Sequence, residues 1–184
     1  TEKNNGSRRP PKPKLPRELS CFKKEELKEL PALPKQWKWV KIDKPLEPNQ
    51  HALKAGPFGS SLKKSCYVEK GYKIYGQEQV ISGDPYYGDY YISDKKYEEL
   101  YNCRIKPGDV LVSLVGTTGK VLILPMDAEP CIINPRLIKI SFSPDAMLPK
   151  FFKYYFESSF SKSIYKLKAH GATMDILNIG IIQE

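Results

Sequence analysis

Hydrophobic and polar positions divide the chain into three stretches. From Thr1 to about Pro34 there is no periodicity: "NNGSRRPPKPKLPREL" is rich in proline and basic residues, a composition that keeps a segment extended and solvated. Inside it, "SCFKKEELKEL" predicts a short helix with Ser20 as N-cap and Pro31 as its stop. A basic tail of this kind serves either solubility or contact with DNA. From residue 35 onward the pattern is that of one folded domain. In "LPKQWKWVKI" the alternation of Trp37, Lys38 and Trp39 predicts a strand. "KAGPFGSSLKKSCYVEKGYKIYGQEQVISGD" is turn-rich, with a strand expected at Tyr72 to Tyr75. Ser93 caps an expected helix, "DKKYEELY", and Pro107-Gly108 marks a turn before two strands, "VLVSLV" and "KVLILP". One more strand is expected in "CIINPRLIKISF".

The third stretch changes period. Phe152, Tyr155, Phe156 and Phe160, then Ile164 and Leu167, follow helical spacing, with a break expected at Ser158 or Ser159 and closure of the second helix at Gly171. No internal repeat is present. Strands and loops come first and helices last, which predicts an α+β fold: a twisted, mainly antiparallel sheet or partial barrel with peripheral helices and a C-terminal helical pair.

Composition adds a partner class. The 184 residues are 40% hydrophobic, enough for a core, and carry a net charge of +9, which favours an anionic partner such as nucleic acid. Four cysteines (Cys21, Cys66, Cys103, Cys131) are scattered without a C-x-x-C pair, so reduced thiols in a cytoplasmic protein are expected in place of disulfides or zinc. No apolar run approaches a membrane span, and the first residues are polar, unlike a signal peptide.

Two motifs invite an enzymatic reading and fail. "GTTGK", Gly116 to Lys120, suggests a phosphate loop, but such a loop needs its first glycine at position 114, which is Leu114, and a hydroxyl at Val121. The flanking residues are β-favouring, so a hairpin turn is expected. Asp84-Pro85-Tyr86-Tyr87 is close to the D-P-P-Y of adenine-N6 methyltransferases, yet it lacks the second proline and a preceding glycine-rich cofactor loop. His51 and His170 lie far apart without a nucleophile motif, and Glu98 and Glu99 read as one exposed helix face. No catalytic residue is expected.

Four motifs in order carry a resemblance: "LPALPKQWKWVKI", "GPFGSSLKKSCYVEKGYKI", "IKPGDVLVSLVGTTGKVLILP" and "FFKYYFESSFSKSIYKLKAHGATMDILNIGIIQE". Together, over about Leu33 to Glu184, they resemble the target recognition domain of a type I restriction-modification specificity subunit. The resemblance implies a non-catalytic domain that reads one half of a split duplex DNA target. It implies as partners two modification subunits, which use S-adenosylmethionine to methylate adenine, and a restriction subunit that joins them. It implies no cofactor on this chain. In the family a Pro-rich segment and a long spacer helix follow, so this chain reads as an isolated recognition domain or a fragment. A related domain fused behind a methyltransferase, and a single-stranded RNA binder using its tyrosines for stacking, are the alternative readings.

Such a domain needs phosphate contacts for position and side chains at base edges for specificity. Candidates for phosphate are Lys54, Ser60, Ser61, Lys63, Lys64, Thr117, Thr118, Lys120, Lys168 and His170, in or beside glycine-containing loops. Candidates for base readout are Gln77, Glu78 and Gln79, whose amides and carboxylate match adenine and cytosine edges. Tyr86, Tyr87 and Tyr90 join them, as do Asn134, Arg136 and Thr173.

Overall fold

The computed structural model describes residues 30–169 and 177–183, without the side chains of 166–169. The expected helix at 20–30, apart from Leu30, and the closure at Gly171 lie outside the described residues. In chain order the elements are β1 (Leu53–Ala55), β2 (Tyr67–Val68), β3 (Tyr72–Tyr75), α1 (Gln77–Ser82), β4 (Tyr91–Ile92), α2 (Asp94–Glu99), β5 (Arg104–Ile105), β6 (Val110–Ser113), β7 (Val121–Ile123), β8 (Cys131–Ile133), β9 (Leu137–Ile140), α3 (Pro149–Phe156), α4 (Ser159–Ala169) and α5 (Ile179–Gln183). Among the described residues no helix is long and apolar enough to cross a membrane.

The fold is α+β, as the pattern predicts, but its strands form two open sheets, neither closed into a barrel. The first has the order β1-β9-β6-β7 and is antiparallel throughout. The second has the order β2-β4-β3-β8-β5 and contains one parallel pair, β3 with β8, in the register Ile74 opposite Ile132. Period two explains the layering. On β6 and β9, Val110, Val112, Ile138 and Ile140 point to one side and pack with Phe152, Phe156, Tyr165 and Leu177. Leu111 and Leu137 point to the other and pack with Ile74, Ile92 and Ile132 of the second sheet. The first sheet is therefore the middle layer; its central strands β6 and β9 are buried on both faces and read as largely apolar runs.

Buried polar side chains on that middle layer include Ser113 and Lys139. Lys139 faces the second sheet, 6% exposed, and its Nζ donates to the Arg104 carbonyl of β5 at 2.6 Å. The lysine thus ties the two sheets together. Burial pulls its pKa down, partly opposed by the Asp109 carboxylate. Asp109 itself is pushed up by burial, against hydrogen bonds from the Ser141 hydroxyl and the Lys106 amide.

Three expectations need correction. "CIINPRLIKISF" is two strands in different sheets, because Pro135 has no N–H for a ladder and Asn134 Oδ1 accepts the Arg136 amide at 2.9 Å to make a turn. Apolar residues on both sides of the turn disguise the change of sheet. Trp37 and Trp39 are in no strand; they pack on the helical pair, Trp37 against Phe151 at 5.4 Å and Trp39 against Tyr155 at 6.1 Å and Phe160 at 5.9 Å. Residues Gln77 to Ser82, read as part of a turn-rich stretch, form helix α1 between Gly76 and Gly83. β3, β6, β7, α2, α3 and α4 fall where expected, whereas the short β1, β2, β4, β5 and α5 match no expected element. Ser93 caps α2 by accepting the Lys96 amide, and α3 and α4 are separated at Glu157 and Ser158, with Ser158 Oγ accepting the Ser161 amide.

A single close approach fixes the edge where the sheets meet. The Gly56 amide donates to the Leu137 carbonyl at 2.9 Å, and a Cβ on Gly56 would fall 1.8 Å from the Asn134 carbonyl oxygen. Only glycine fits. Gly56→Ala is therefore expected to cost about 2–3 kcal/mol in urea denaturation, whereas Gly59→Ala, where a Cβ meets nothing within 4 Å, is expected to stay near neutral. Equal midpoints for the two variants would contradict this packing.

Cys131, fully buried in β8, supplies a pH test. Burial pushes its thiol from 9.0 up to about 12, with Asp109 adding to the rise. The folded state holds the proton where the unfolded chain has lost it. This contribution is complete below the unfolded value of 9.0 and disappears as pH climbs toward about 12. Between those limits the wild-type chain should lose stability more steeply than Cys131→Ala, by up to about 1.4 kcal/mol per pH unit. Parallel profiles for the two proteins would refute it.

Candidate nucleic-acid interface

The C-terminal ends of β1, β3, β6 and β8 reach one edge, and Asn134 is where they join. Its amide donates to the Tyr75 carbonyl at 2.8 Å, and Leu114 N–H donates to the Arg136 carbonyl at 3.0 Å. With Gly56 lying on the Asn134 carbonyl, four connecting segments, called loops below, leave from this edge: 56–63, 76–78 (Gly76 and the first residues of α1), 114–120 and 134–136. Helix α1 starts from the second loop and leans on the third, with Ile81 Cδ1 the nearest side-chain atom over Gly116.

The Gly116 to Lys120 stretch is the expected hairpin turn. Gly116 and Gly119 take positive φ of 75° each, and the amides of Gly119 and Ser113 donate to the Ser113 and Lys120 carbonyls. Ser113 Oγ donates to the Thr117 carbonyl at 2.6 Å and accepts the Lys120 amide at 3.0 Å. The amides of Thr118, Gly119 and Lys120 are thus used within the hairpin, as in a strand–turn–strand element. Tyr165 seals its underside against Gly119.

The base-readout candidates separate into those free to reach out and those used internally. Gln79 is 2% exposed; its Oε1 accepts the Gly76 amide at 2.8 Å and its Nε2 donates to the Tyr87 carbonyl at 2.7 Å. The structure corrects its assignment: Gln79 holds the tyrosine loop to the start of α1 and has no free edge for a base. Asn134 is half-buried, its Oδ1 accepting the Arg136 amide. Gln77 is half-buried, and its Oε1 is enclosed without a hydrogen-bond partner. Glu78 and Arg136 are exposed beside it, and the Glu78 carboxylate bends back over Gly76 toward the Asn134 amide.

The tyrosine loop is fastened at several points besides Gln79. Asp84 Oδ1 accepts the Tyr86 amide, Lys73 Nζ donates to the Tyr86 carbonyl at 2.9 Å, and the Tyr86 hydroxyl donates to Asp127 at 2.9 Å. That hydrogen bond to Asp127 is the main cause that raises the Tyr86 pKa. The Tyr86 hydroxyl thus points to Asp127, ahead of β8, while the neighbouring Tyr87 carbonyl is held by Gln79 at the start of α1. The Asp84 motif also follows a helix, unlike a methyltransferase motif at a strand end. Tyr87 and Tyr90 are exposed, and Tyr90 rests on Tyr67 at 5.3 Å.

Among the phosphate candidates, Ser60, Lys63, Lys64 and Thr117 are exposed, and Ser61, Thr118 and Lys120 are half-buried. They all lie on or next to the four-loop edge. Lys54 is the middle residue of β1, half-buried, opposite Lys139 on the ladder and just before the loop at 56–63. His170, Thr173 and the Lys168 side chain lie outside the described residues. Sequence reasoning missed Phe58, which is 88% exposed. A phenylalanine in a short apolar stretch reads as core, and the one signal against that was its position between Gly56-Pro57 and Gly59. Elsewhere, an apolar groove of about 800 Å³ runs between the lead-in segment and the C-terminal helices, lined by Trp37, Trp39, Phe151, Tyr155, Ile164 and Ile181. Among the described residues no cluster of three or more His, Cys, Asp or Glu is placed to hold a metal.

No family model matches the chain, and no curated protein matches it. Solved structures do. The chain is similar to one from a study of the complex assembly and conformational transition of the type I R-M system, with a TM-score of 0.59 and 17% identity over 84% of this chain and 34% of that one. It is also similar to the HsdS subunit from Thermoanaerobacter tengcongensis, with a TM-score of 0.55 and 19% identity over 84% of this chain and 33% of that one. The chain thus spans about a third of each of these proteins and shares their fold across that third.

Proposed function

We propose that this chain is the target recognition domain of a type I restriction-modification specificity subunit, and that it reads one half of a bipartite duplex DNA target without catalysing a reaction. The observation that carries the reading is the convergence of four strand ends on Asn134, which holds four loops of basic, hydroxyl and amide side chains on one rigid edge. Loops fixed by a scaffold in this way are suited to recognition. The likeness to a type I R-M system structure and to an HsdS subunit supports the same assignment, as does the net charge of +9.

On this reading Ser60, Lys63, Lys64, Thr117 and Lys120 position the domain on phosphates, while Gln77, Glu78 and Arg136 meet base edges. Arginine pairs bidentately with guanine and a glutamate accepts from the cytosine amino group, while Gln77, its Oε1 enclosed, has its Nε2 to offer a base acceptor. The tyrosine loop, anchored by Gln79, supports the start of α1. Modification subunits carry S-adenosylmethionine and the methyl-transfer chemistry, a restriction subunit joins through them, and this chain holds no cofactor.

Exchanging Gln77, Glu78 and Arg136 together in a complete complex with the modification subunits should change which sequence is methylated. Gln79→Ala should lower thermal stability without shifting the methylated sequence. Unchanged methylation sites after the triple exchange would refute the assigned readout loops. Duplex binding should also weaken linearly as the logarithm of salt rises, and Lys63→Ala and Lys64→Ala should each reduce that slope by about one. Salt-independent binding, or preference for single-stranded RNA in competition, would contradict the proposal.

A further inference from the structure

Phe58 has the largest exposure, 88%, among the exposed large hydrophobic side chains of the described residues. A single apolar side chain on a surface is ordinarily unremarkable; the construction beneath this one is not ordinary. Pro57 before it is buried and Leu62 after it is 5% exposed, so both ends of the loop are seated in the core. The Ser61 amide donates to the Phe58 carbonyl at 2.8 Å, closing a turn. Gly56 is clamped on the Asn134 carbonyl, where even a methyl group has no room. The ring is thereby held out in water by a loop whose two ends are fixed, on the same edge as Arg136 and the hairpin turn.

The surrounding charge selects the partner. Between Gly56 and Val68 the chain carries Lys63, Lys64, Ser60, Ser61 and Ser65 and no carboxylate. An apolar ring flanked by cations and hydroxyls matches a duplex, whose phosphates surround stacked apolar faces. Proteins that kink DNA insert such wedges between base steps while basic neighbours hold the backbone. We propose that Phe58 is an apolar wedge that enters a base step of the bound duplex, an inference that rests on the DNA-recognition reading above. The wedge adds a second kind of specificity. Pyrimidine–purine steps unstack most easily, so Phe58 would favour target sites with such a step under its loop, with no hydrogen bond to the bases.

The test uses the full chain and a mixed-sequence duplex, with Phe58→Ala and Phe58→Trp. Both substitutions fall on an exposed side chain and should fold as the wild type does. Phe58→Ala should bind about tenfold or more weakly, the scale of losing one base-stacking ring. The added tryptophan of Phe58→Trp should be quenched by duplex, relative to the signal from Trp37 and Trp39 in the wild type. If the wild-type chain binds no duplex, the recognition reading falls and the wedge with it. If the wild type binds and Phe58→Ala binds equally well, the wedge alone is overturned. Weaker binding by Phe58→Ala without quenching in Phe58→Trp also overturns it, because the ring then touches DNA without inserting. Normal DNA binding by Phe58→Ala combined with failed assembly onto the modification subunits would place the ring in a protein interface and likewise overturn the wedge.

Discussion

The contact on which the structure most depends is a backbone meeting a backbone: Gly56 lying on the carbonyl of Asn134. At this point β8 of one sheet ends and β9 of the other begins, three residues later. Asn134 has to satisfy both sheets at once. Its amide completes the β3–β8 pairing at Tyr75, its side chain turns the chain through Arg136, and the Arg136 carbonyl receives Leu114 from β6. Each of these bonds is ordinary by itself. Their concentration in one turn makes the relative placement of the two sheets a local matter, set by a few residues.

The layers on either side follow from that placement. With the central strands β6 and β9 buried on both faces, Lys139 is left as a cation between sheets. Its Nζ has a partner in the Arg104 carbonyl, which satisfies the donor but leaves the charge in a low-dielectric site. Asp109 nearby, held by Ser141 and Lys106, offsets part of that cost. On the outer side, Glu157 between α3 and α4 accepts the Val121 amide of edge strand β7 at 2.9 Å. The helical pair is thus fastened to the sheet by a hydrogen bond as well as by aromatic packing.

The sequence was legible where one local rule decided the outcome. Ser93 as a cap, the glycines of the hairpin, the strand at Tyr72–Tyr75 and the paired helices at Pro149–Phe156 and Ser159–Ala169 all belong to this class. It was illegible where a distant partner decided. Alternating Trp37 and Trp39 have a strand's period, but their partners are helix aromatics, so the period reports packing on a groove. Helix α1 is too short to show a helical period, and its cap is a glutamine reaching back from inside it. The parallel pairing of β3 with β8 joins residues almost sixty positions apart and leaves no local trace. In the site, residue type pointed to the right loops but not to the residues that remain free. Gln77, Glu78 and Gln79 look alike in the sequence; only burial separates the last from the first two.

Taken together, the strand ends, the shared turn and the exposed loop side chains describe a preformed surface on a rigid edge. Such a surface needs little rearrangement on binding. The most direct test is hydrogen exchange of the chain with and without duplex DNA, resolved to individual loops. Protection is expected in 56–63, 76–78, 114–120 and 134–136 together, because one edge carries all four. Protection confined to the groove lined by Trp37, Phe151 and Tyr155, with those four loops unchanged, would contradict the assignment of this edge as the DNA-binding surface.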